Sequence, residues 1–377
     1  MRIAYVTNSL EMGGIETNLC RLTGALSRRG DSVTVCARPG TLTTAIIANG
    51  GTVWDLEMRP TSPASLFRDF RQLRGLLNRE VDLVHVFSAT AALLVNLAIW
   101  TIPRSRRPVV VASLMGVQAS LDERRWKTLL RARVTLTGAD LVIVTSPAIG
   151  ALIDELHHQP SRSVQASVVG VEVVEPPSRD RIEWLRISLE LGAGDHLVTT
   201  IGRLDSTKSH HLFIQAAERI LRDRNDVVFA VVGAGPLDRI LREQVAEAGI
   251  DGAVHLLGER RDIADLLCAS TAYVRPGIVD GFVGITVLEA QSLSRPVISF
   301  DTRDVRPAIQ HDVSGLLVSP NDTEALASAI VDLIDNPVRA AAIGKAGFDQ
   351  FVGTFSLDSV VENLCTIYSG AITKEPS

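Results

Sequence analysis

The chain has 377 residues, of which 46% are hydrophobic and 21% are charged, and its formal net charge at pH 7 is −5. This length is enough for two domains of ordinary size, and the hydrophobic content excludes an intrinsically disordered chain. The acidic balance argues against a nucleic-acid-binding protein, because such domains usually carry clustered Lys and Arg residues on one face.

The first half of the chain alternates strand-like and helical segments. A strand is predicted over 3–7, followed by a loop and an amphipathic helix over 16–29. Further strands are predicted over 32–37, 83–87, 109–113 and 141–145. This alternation is typical of parallel βαβ units and predicts a Rossmann-like, doubly wound domain.

A change of pattern marks the predicted domain boundary. Residues 168–177 form an extended stretch that ends in Pro176 and Pro177, and a charged segment follows. A second series of predicted strands covers 196–201, 227–232, 254–257, 272–274 and 296–300. The sequence therefore predicts an α/β fold of two tandem Rossmann-like domains, 1–177 and 178–356, which face a cleft that binds the ligand.

Targeting and redox features indicate the cytoplasm. The N-terminus enters a strand at once, without a cleavable signal. The longest apolar run, 89–102, is interrupted by Asn96 and closed by Pro103, so it is too short to span a bilayer. The four cysteines lie far apart in the sequence, which is typical of core residues in a reducing compartment.

The most informative segments follow two predicted strands of the second half. Arg203 and Lys208 come just after the strand over 196–201, and a glycine-rich turn precedes an apolar helix that carries Glu289. Backbone N–H groups and the dipole at a helix N-terminus favour negative charge, which two fixed cations would reinforce. A diphosphate fits such a site, and Glu289, one to two turns along the helix, would reach a ribose diol. The sequence therefore predicts a nucleotide-sugar site.

A second glycine motif follows the predicted strand over 227–232. Gly233 and Gly235 are similar to the start of a dinucleotide-binding fingerprint, but Asp238 occupies the position of its third glycine. Pro236 also lacks an N–H group for a pyrophosphate. A tight strand-to-helix turn is therefore favoured over nicotinamide binding.

Two features of the first half have both a structural and a functional interpretation. Gly13 and Gly14 precede the first predicted helix, where they form either a simple helix entry or a contact to a phosphate. His85 lies at the end of the strand over 83–87, and a structural role and a functional role are about equally expected.

No metal site is predicted. The other histidines lack metal-ligand spacing with carboxylates or cysteines, and the chain contains no Asp-X-Asp motif. Arg203 and Lys208 would neutralise a bound diphosphate instead, so neither a metal ion nor a separate cofactor is expected.

A basic segment over 122–133 also has two interpretations. Its cationic residues are Arg124, Arg125, Lys127, Arg131 and Arg133, interleaved with Trp126, Leu129 and Leu130. A solvated helix whose leucines pack inward is favoured. The alternative is a membrane-surface helix, which would place the protein at the inner face of the membrane near a lipid-linked acceptor.

Several blocks in a fixed order resemble the retaining glycosyltransferases of family 4, which have the GT-B fold. The first block is 1–35 with its glycine pair, and 82–85 is similar to a strand of the family's acceptor domain. The strongest blocks are 202–204 with Lys208, 232–236, 257–258, 288–290, 296–298 and 314–320. The resemblance covers nearly the whole chain.

The resemblance implies a role for each of these blocks. Arg203 and Lys208 would hold the diphosphate of the donor, Glu289 would bind its ribose, and Gly14 would contact the diphosphate from the other domain. The implied backbone contacts to sugar and phosphate come from Gly281, Phe282, Gly284, Ile285 and Thr286. The segment 357–377 would cross back onto the N-terminal domain.

Two departures from the family pattern affect the predicted catalytic residues. The family usually separates two acidic residues by seven positions, whereas Asp280 and Glu289 have eight between them. Asp280 is the candidate for the contact to the transferred sugar. The family often has a histidine where this chain has Met115, which together with His85 is assigned to the acceptor side.

The implied reaction moves a sugar from a UDP-, GDP- or other nucleotide-sugar to a hydroxyl of a glycan, a lipid-linked glycan or a small molecule. No carboxylate pair suited to double displacement is evident, so we expect same-face attack, retention of configuration and no metal requirement. Two alternatives stay open. One is another GT-B enzyme, such as a nucleotide-sugar epimerase, and the other is a non-catalytic protein that binds nucleotide sugars.

Overall fold

A computed structural model describes residues 1–58, 62–79, 81–114, 125–156, 163–166, 169–278 and 283–373. The chain forms two compact units. The first comprises Met1–Gly170 and Leu357–Ser377, and the second comprises Val171–Ser356.

The first unit is built on a seven-stranded parallel sheet in the order β3-β2-β1-β4-β5-β6-β7. The strands are β1 (Arg2–Ser9), β2 (Ser32–Arg38), β3 (Thr52–Asp55), β4 (Leu83–Val86), β5 (Val109–Ser113), β6 (Leu141–Val144) and β7 (Ser163–Gln165). The helices are α1 (Gly14–Arg28), α2 (Thr43–Ala48), α3 (Pro63–Arg79), α4 (Ala89–Trp100), α5 (Arg125–Leu136), α6 (Pro147–Glu155) and, from the end of the chain, α14 (Leu357–Ile372).

The second unit is built on a six-stranded parallel sheet in the order β10-β9-β8-β11-β12-β13. The strands are β8 (His196–Ile201), β9 (Val227–Val232), β10 (Val254–Gly258), β11 (Ala272–Arg275), β12 (Val297–Phe300) and β13 (Leu316–Val318). The helices are α7 (Arg179–Ser188), α8 (His210–Leu221), α9 (Asp238–Glu247), α10 (Ile263–Ala269), α11 (Ile285–Ser292), α12 (Thr323–Asp335) and α13 (Pro337–Thr354).

Both sheets have the strand order of a doubly wound Rossmann fold. In each, the chain runs outward from a central strand and then restarts on its other side, so the direction of winding reverses between β1 and β4 and between β8 and β11. The predicted fold class is therefore confirmed. The sequence analysis missed β3, β7 and β13, which are short and lie at the edges of the sheets, where strands need not be uninterrupted apolar runs.

The division between the units differs from the predicted boundary at 177. The first unit ends at Gly170, and residues from Val171 onward belong to the second unit. Val171 is buried and donates its N–H to the Phe355 carbonyl at 3.0 Å, which fixes the extended stretch to the second unit. The other division falls between Ser356 and Leu357, so α14 belongs to the first unit.

A fully buried histidine joins α14 to the first sheet. His85 Nδ1 lies 2.7 Å from Tyr368 Oη on α14, and Nε2 lies 2.8 Å from Ser113 Oγ on β5. The ring stacks on Phe87, with centroids 4.2 Å apart. Burial lowers the pKa of His85 to about 3, so the ring is neutral and offers one donor and one acceptor to its two hydroxyl partners.

We expect acid to weaken the first unit through His85. A histidine in an unfolded chain titrates near pH 6.5, whereas His85 in the folded protein has a pKa of about 3. Because the folded pKa is the lower one, the contribution of His85 to the free energy of unfolding is fully present above pH 6.5. It falls by about 1.4 kcal/mol for each pH unit below that value, down to the folded pKa. Urea unfolding over the pH unit below 6.5 measures this loss.

A His85→Gln variant is the control, because an amide also offers a donor and an acceptor but does not titrate in this range. Its free energy of unfolding should depend less on pH than that of the wild type. An equal pH dependence in both proteins would assign the effect to another histidine and contradict the prediction.

Candidate functional site

The predicted site residues of the second unit gather at the point where its winding reverses. Strands β8 and β11 lie side by side, with Thr199 opposite Tyr273, and both run towards the same edge of the sheet. The loop after β8 carries Arg203 and Lys208, and α11 begins beyond the loop after β11. Ligands of doubly wound sheets bind at this position, outside the carboxyl ends of the strands.

The loop that carries Arg203 is held by backbone hydrogen bonds to the turn after β9. Gly202 N donates to the Val232 carbonyl at 2.9 Å, and Leu204 N donates to the Ala234 carbonyl at 2.9 Å. Because the N–H groups on both sides of Arg203 are hydrogen-bonded within the protein, the backbone of Arg203 has a defined position.

The glycine motif of that turn permits this close contact. Gly233 has φ +139°, and a Cβ atom there would overlap the carbonyl oxygen of Gly202. A Cβ atom at Gly235 would likewise overlap the carbonyl oxygen of Leu204. The motif is thus a tight strand-to-helix turn, and its glycines admit the backbone of the loop that bears Arg203.

Asp205 orients Arg203, a role that sequence analysis missed. Arg203 is 69% exposed, and its Nε donates to Asp205 Oδ2 at 2.5 Å. Thr207 N donates to the other carboxylate oxygen at 2.9 Å. Burial raises the pKa of Asp205, but the hydrogen bonds from Thr207 and Arg203 outweigh this effect and keep it below its usual value. Asp205 is therefore an ionised anchor that directs the guanidinium.

Lys208 lies against the start of the same loop. It is half-buried, and its Cγ and Cδ atoms lie 3.7 Å from the position that a Cβ on Gly202 would take. The next residue, Ser209, is buried with φ +52° and turns the chain sharply into α8. Burial lowers the pKa of His210 to about 4, so this ring adds no positive charge beneath the two cations.

The N-terminus of α11 faces the same edge of the sheet. Gly284 is its N-cap with φ +90° and provides no side-chain cap for the first N–H groups. Ile285 and Thr286 form the start of the helix and are half-buried, as is Glu289 one turn further on. Uncapped N–H groups and a helix dipole at this end favour an anion.

Arg275 is a third cation at this site, and sequence analysis did not find it. It ends β11, is 5% exposed, and its Nη1 donates to the Gly277 carbonyl at 2.9 Å and to Ser299 Oγ at 3.3 Å. Its Nε lies 3.6 Å from the position that a Cβ on Gly284 would take. A buried guanidinium therefore lies beside the start of α11 and adds to its positive potential. In the sequence, the signal for Arg275 was a basic residue at the end of an apolar strand.

Four predicted site residues cannot be placed. Asp280, Gly281 and Phe282, together with Met115, lie outside the described residues. The predicted sugar contact by Asp280 and the spacing between it and Glu289 therefore stay predictions.

In the first unit, Gly14 is the exposed first residue of α1, and Gly13 is its N-cap without a side-chain cap. A Cβ atom on Gly13 would overlap Oε2 of Glu16, so this carboxylate lies beside the first turn of the helix. Burial raises the pKa of Glu16. A methyl group at Gly14 would meet no described atom within 4 Å, so its predicted phosphate contact rests on its position at the helix end.

The acceptor-side prediction for His85 is wrong. Its ring is fully buried, and both nitrogens are occupied by Tyr368 and Ser113. A substrate hydroxyl cannot reach it without opening the core, so His85 is a structural residue.

The basic segment forms α5, whose described part has a mixed surface. Leu129 packs against the core, whereas Leu130, Arg131 and Arg133 are exposed. Arg124 and the side chains of Arg125 and Lys127 lie outside the description. Within the described residues, no helix has the length and apolarity needed to cross a bilayer, and no group of three His, Cys, Asp or Glu residues could hold a metal ion.

Two family models match the chain, and together they cover most of it. Residues 195–336 match the model described as Glycosyl transferases group 1, and residues 13–171 match the Glycosyl transferase 4-like domain. The chain belongs to the group 1 glycosyltransferases. Strands β8 and β11 lie in the region matched by the group 1 model, and α1 lies in the region matched by the 4-like domain model.

The named relatives of the chain carry names that specify different substrates. The chain is 28% identical over 295 residues to the D-inositol 3-phosphate glycosyltransferase of Salinispora tropica, covering 73% of this chain and 60% of that protein. It is 26% identical over 319 residues to the UDP-Gal:alpha-D-GlcNAc-diphosphoundecaprenol alpha-1,3-galactosyltransferase of Escherichia coli, covering 81% and 80%. The chain spans 57% and 60% of the length of two D-inositol 3-phosphate glycosyltransferases that it matches.

Solved structures show the fold of this group 1 chain. Anabaena Alr3699/HepE in complex with UDP superposes with a TM-score of 0.83 at 20% identity, covering 98% of this chain and all of that one. The same protein in complex with UDP-glucose gives a TM-score of 0.80 at 21% identity, covering 98% of this chain and 100% of that one. A glycosyltransferase from Rickettsia africae gives 0.82 at 18%, with 99% of each chain covered.

Proposed function

We propose that the protein transfers a sugar from a nucleoside-diphosphate sugar to an acceptor hydroxyl, with retention of anomeric configuration. The observation that carries this proposal is that Arg203, Lys208 and the uncapped start of α11 follow the adjacent strands β8 and β11 at the same edge of the sheet. Such an arrangement suits a diphosphate that gains charge as the sugar departs.

Each residue of this site has a separate task in the proposed reaction. Arg203, held by Asp205, and Lys208 stabilise the leaving diphosphate, and the N–H groups at 285 and 286 add hydrogen bonds to it. Glu289 binds the ribose hydroxyls one turn along α11. Because these groups are fixed before the reaction, little reorganisation accompanies the growth of charge on the diphosphate.

The donor class is supported by what similar proteins bind. Structures of Anabaena HepE contain UDP and UDP-glucose, and a named relative uses UDP-galactose. Same-face attack, in which the departing diphosphate helps to take the acceptor proton, fits the cations and amides that the described residues place at the site. The acceptor of that relative is a lipid-linked sugar, and we propose an acceptor hydroxyl on a glycan or lipid-linked glycan here.

A panel of UDP- and GDP-sugars tests the function without a known acceptor. We expect slow hydrolysis of one nucleotide sugar, with release of the nucleoside diphosphate and of a sugar in the donor's anomeric configuration. An isomerised nucleotide sugar without release would instead indicate an epimerase, and tight binding without any turnover would indicate a binding protein. Either result would overturn the proposal.

We further expect this turnover to continue without a divalent metal ion. Positive side chains at the site supply the neutralisation that a metal would otherwise give to the diphosphate. Turnover measured with EDTA and then with added Mg²⁺ or Mn²⁺ should change little. Loss of activity with the chelator and recovery with either metal would contradict this expectation.

A further inference from the structure

The outer face of α4 is apolar although it lies at the surface. The helix contains no charged residue, and its inner side packs in the core of the first unit. Leu93, Leu97 and Trp100 point outward and are 52%, 52% and 81% exposed. Their spacing of four and three residues places them in one row along the helix. A helix that is apolar on all sides is normally enclosed by protein or lipid, so this row is suited to a binding partner.

Arginines surround the C-terminal end of this row. Arg74 of α3 donates its Nε to Thr101 Oγ1 at 2.9 Å, and Arg107 donates Nη2 to the Trp100 carbonyl at 3.3 Å. Arg104 and Arg106 are exposed in the short turn that follows α4. Trp100 is thus followed closely in the chain by three arginines, and Arg74 binds the side chain of the next residue, Thr101.

The neighbouring helix α5 extends the same surface. It packs beside α4, and its Leu130 is 53% exposed next to the exposed Arg131 and Arg133. The α4 face is defined here as the row of Leu93, Leu97 and Trp100, the exposed residues 130, 131 and 133, and the arginines at 74, 104, 106 and 107. On this face, the exposed apolar side chains are bordered directly by the arginines.

Carboxylates do not offset this charge in the described residues 62–79, 81–114 and 125–136. The acidic residues in these ranges are Asp69 and Asp82. Asp69 is fully buried, and Asp82 is paired with Arg2 at 2.5 Å. Within these described ranges the exposed charge of the α4 face is therefore positive, although the whole chain has a net charge of −5.

A second exposed tryptophan shows that apolar exposure alone does not create such a face. Trp184 and Ile187 of α7 are 66% and 65% exposed, but the exposed Asp180 and Glu183 alternate with three arginines on their helix. The carboxylates of α7 are mixed with its arginines, and Arg181 is paired with Asp265 at 2.7 Å. The α7 surface therefore carries mixed charge, whereas the charged residues of the α4 face are arginines.

We propose that the α4 face docks on an anionic lipid bilayer. Leu93, Leu97 and Trp100 enter the boundary between headgroups and acyl chains, where amphipathic rings are favoured. The arginines at its margin bind lipid phosphates while their stems lie along the apolar surface. The contact anticipated for the basic segment 122–133 is thus centred on α4, with Arg131 and Arg133 at its edge. The proposal is independent of sugar transfer.

Co-sedimentation with vesicles tests the proposal without any sugar donor. The wild type should bind vesicles of phosphatidylcholine mixed with phosphatidylglycerol and bind pure phosphatidylcholine much less. Replacing Leu97 and Trp100 together by Ser should lower the partition coefficient about tenfold, because two large apolar contacts are lost. Replacing Arg104 and Arg106 together by Gln should lower it about 20-fold at low salt and much less at high salt.

Matched controls are available in the second unit. Trp184→Ser removes an equally large exposed ring, and Arg222→Gln with Arg239→Gln removes two exposed charges, one at the end of α8 and one on α9. Both control proteins should bind vesicles like the wild type. Because all altered side chains are exposed, circular dichroism should report a native fold in each variant.

Three results would overturn the proposal. One is a wild type that does not bind anionic vesicles, and another is unchanged binding after the double replacement of Leu97 and Trp100. The third is a concentration-dependent dimer in the wild type that the same double replacement abolishes. That last result would identify a second copy of the chain as the partner of the α4 face.

Discussion

Replacing Lys208 by Ala is expected to lower turnover by about two to three orders of magnitude, the range observed when one fixed donor to a developing anion is removed. Its ammonium group, on a stem packed against Gly202, is assigned to the diphosphate. Charge grows on that group as the bond to the sugar breaks, so the loss falls mainly on the transition state. Steady-state kinetics of nucleotide-sugar hydrolysis or transfer should show a reduced turnover with a smaller change in the Michaelis constant.

Two further variants make this result specific. Glu289→Gln alters a group assigned to ribose hydroxyls, whose charge does not change during transfer, so it should mainly raise the Michaelis constant for the donor. Lys345→Ala removes a 66% exposed lysine of α13, paired with Asp349, and should leave both constants unchanged. If Glu289→Gln abolishes turnover while Lys208→Ala has a mild effect, the phosphate and ribose assignments are reversed.

Much of the fold follows from local sequence patterns. Central parallel strands are buried on both faces, and β9, with the sequence Val-Val-Phe-Ala-Val-Val, is recognisable as an uninterrupted apolar run. Edge strands such as β3 and β13 have three or four residues, and these resemble any short extended segment. The boundary at Gly170 could not be read from Pro176 and Pro177, because it depends on the contact of Val171 with Phe355 far along the chain.

Some residues of the candidate site could also be recognised in the sequence, whereas others could not. Arg203, Lys208 and Gly284 occupy recognisable positions in motifs that follow strands. Asp205 and Arg275 act through side-chain contacts made in three dimensions; the position of Arg275 at the end of an apolar strand could be read from the sequence, but its contacts could not.

Burial also separates residues that look alike in sequence. His85 has the pattern of a ligand-facing residue at the end of a strand, but its neighbours Tyr368 and Ser113 enclose it. The apolar row of α4 likewise has the sequence of a buried helix, and its exposure becomes evident from the packing of α3 and α5 beside it. Sequence patterns therefore predict which residues have the chemistry to bind a ligand, and packing determines which of them are accessible to one.

Replacing Gly233 by Ala is expected to destabilise the second unit by about 2–4 kcal/mol, because two costs add. Its φ of +139° is unfavourable for any residue with a Cβ atom, and that atom would overlap the Gly202 carbonyl oxygen. Relief requires movement of backbone rather than of a flexible side chain, and the backbone that must move carries Arg203. Thermal unfolding should show a midpoint lowered by about 2–4 °C for each kcal/mol lost.

Activity should fall further than stability in this variant, since the displaced loop misplaces Arg203 even in molecules that stay folded. Assays well below the unfolding midpoint separate these two effects. Gly252→Ala is the matched control, because a Cβ atom there meets no atom within 4 Å and its φ is not in the left-handed range. It should change stability by less than about 0.5 kcal/mol. A Gly233→Ala protein with wild-type stability and activity would show that the turn after β9 does not position the Arg203 loop.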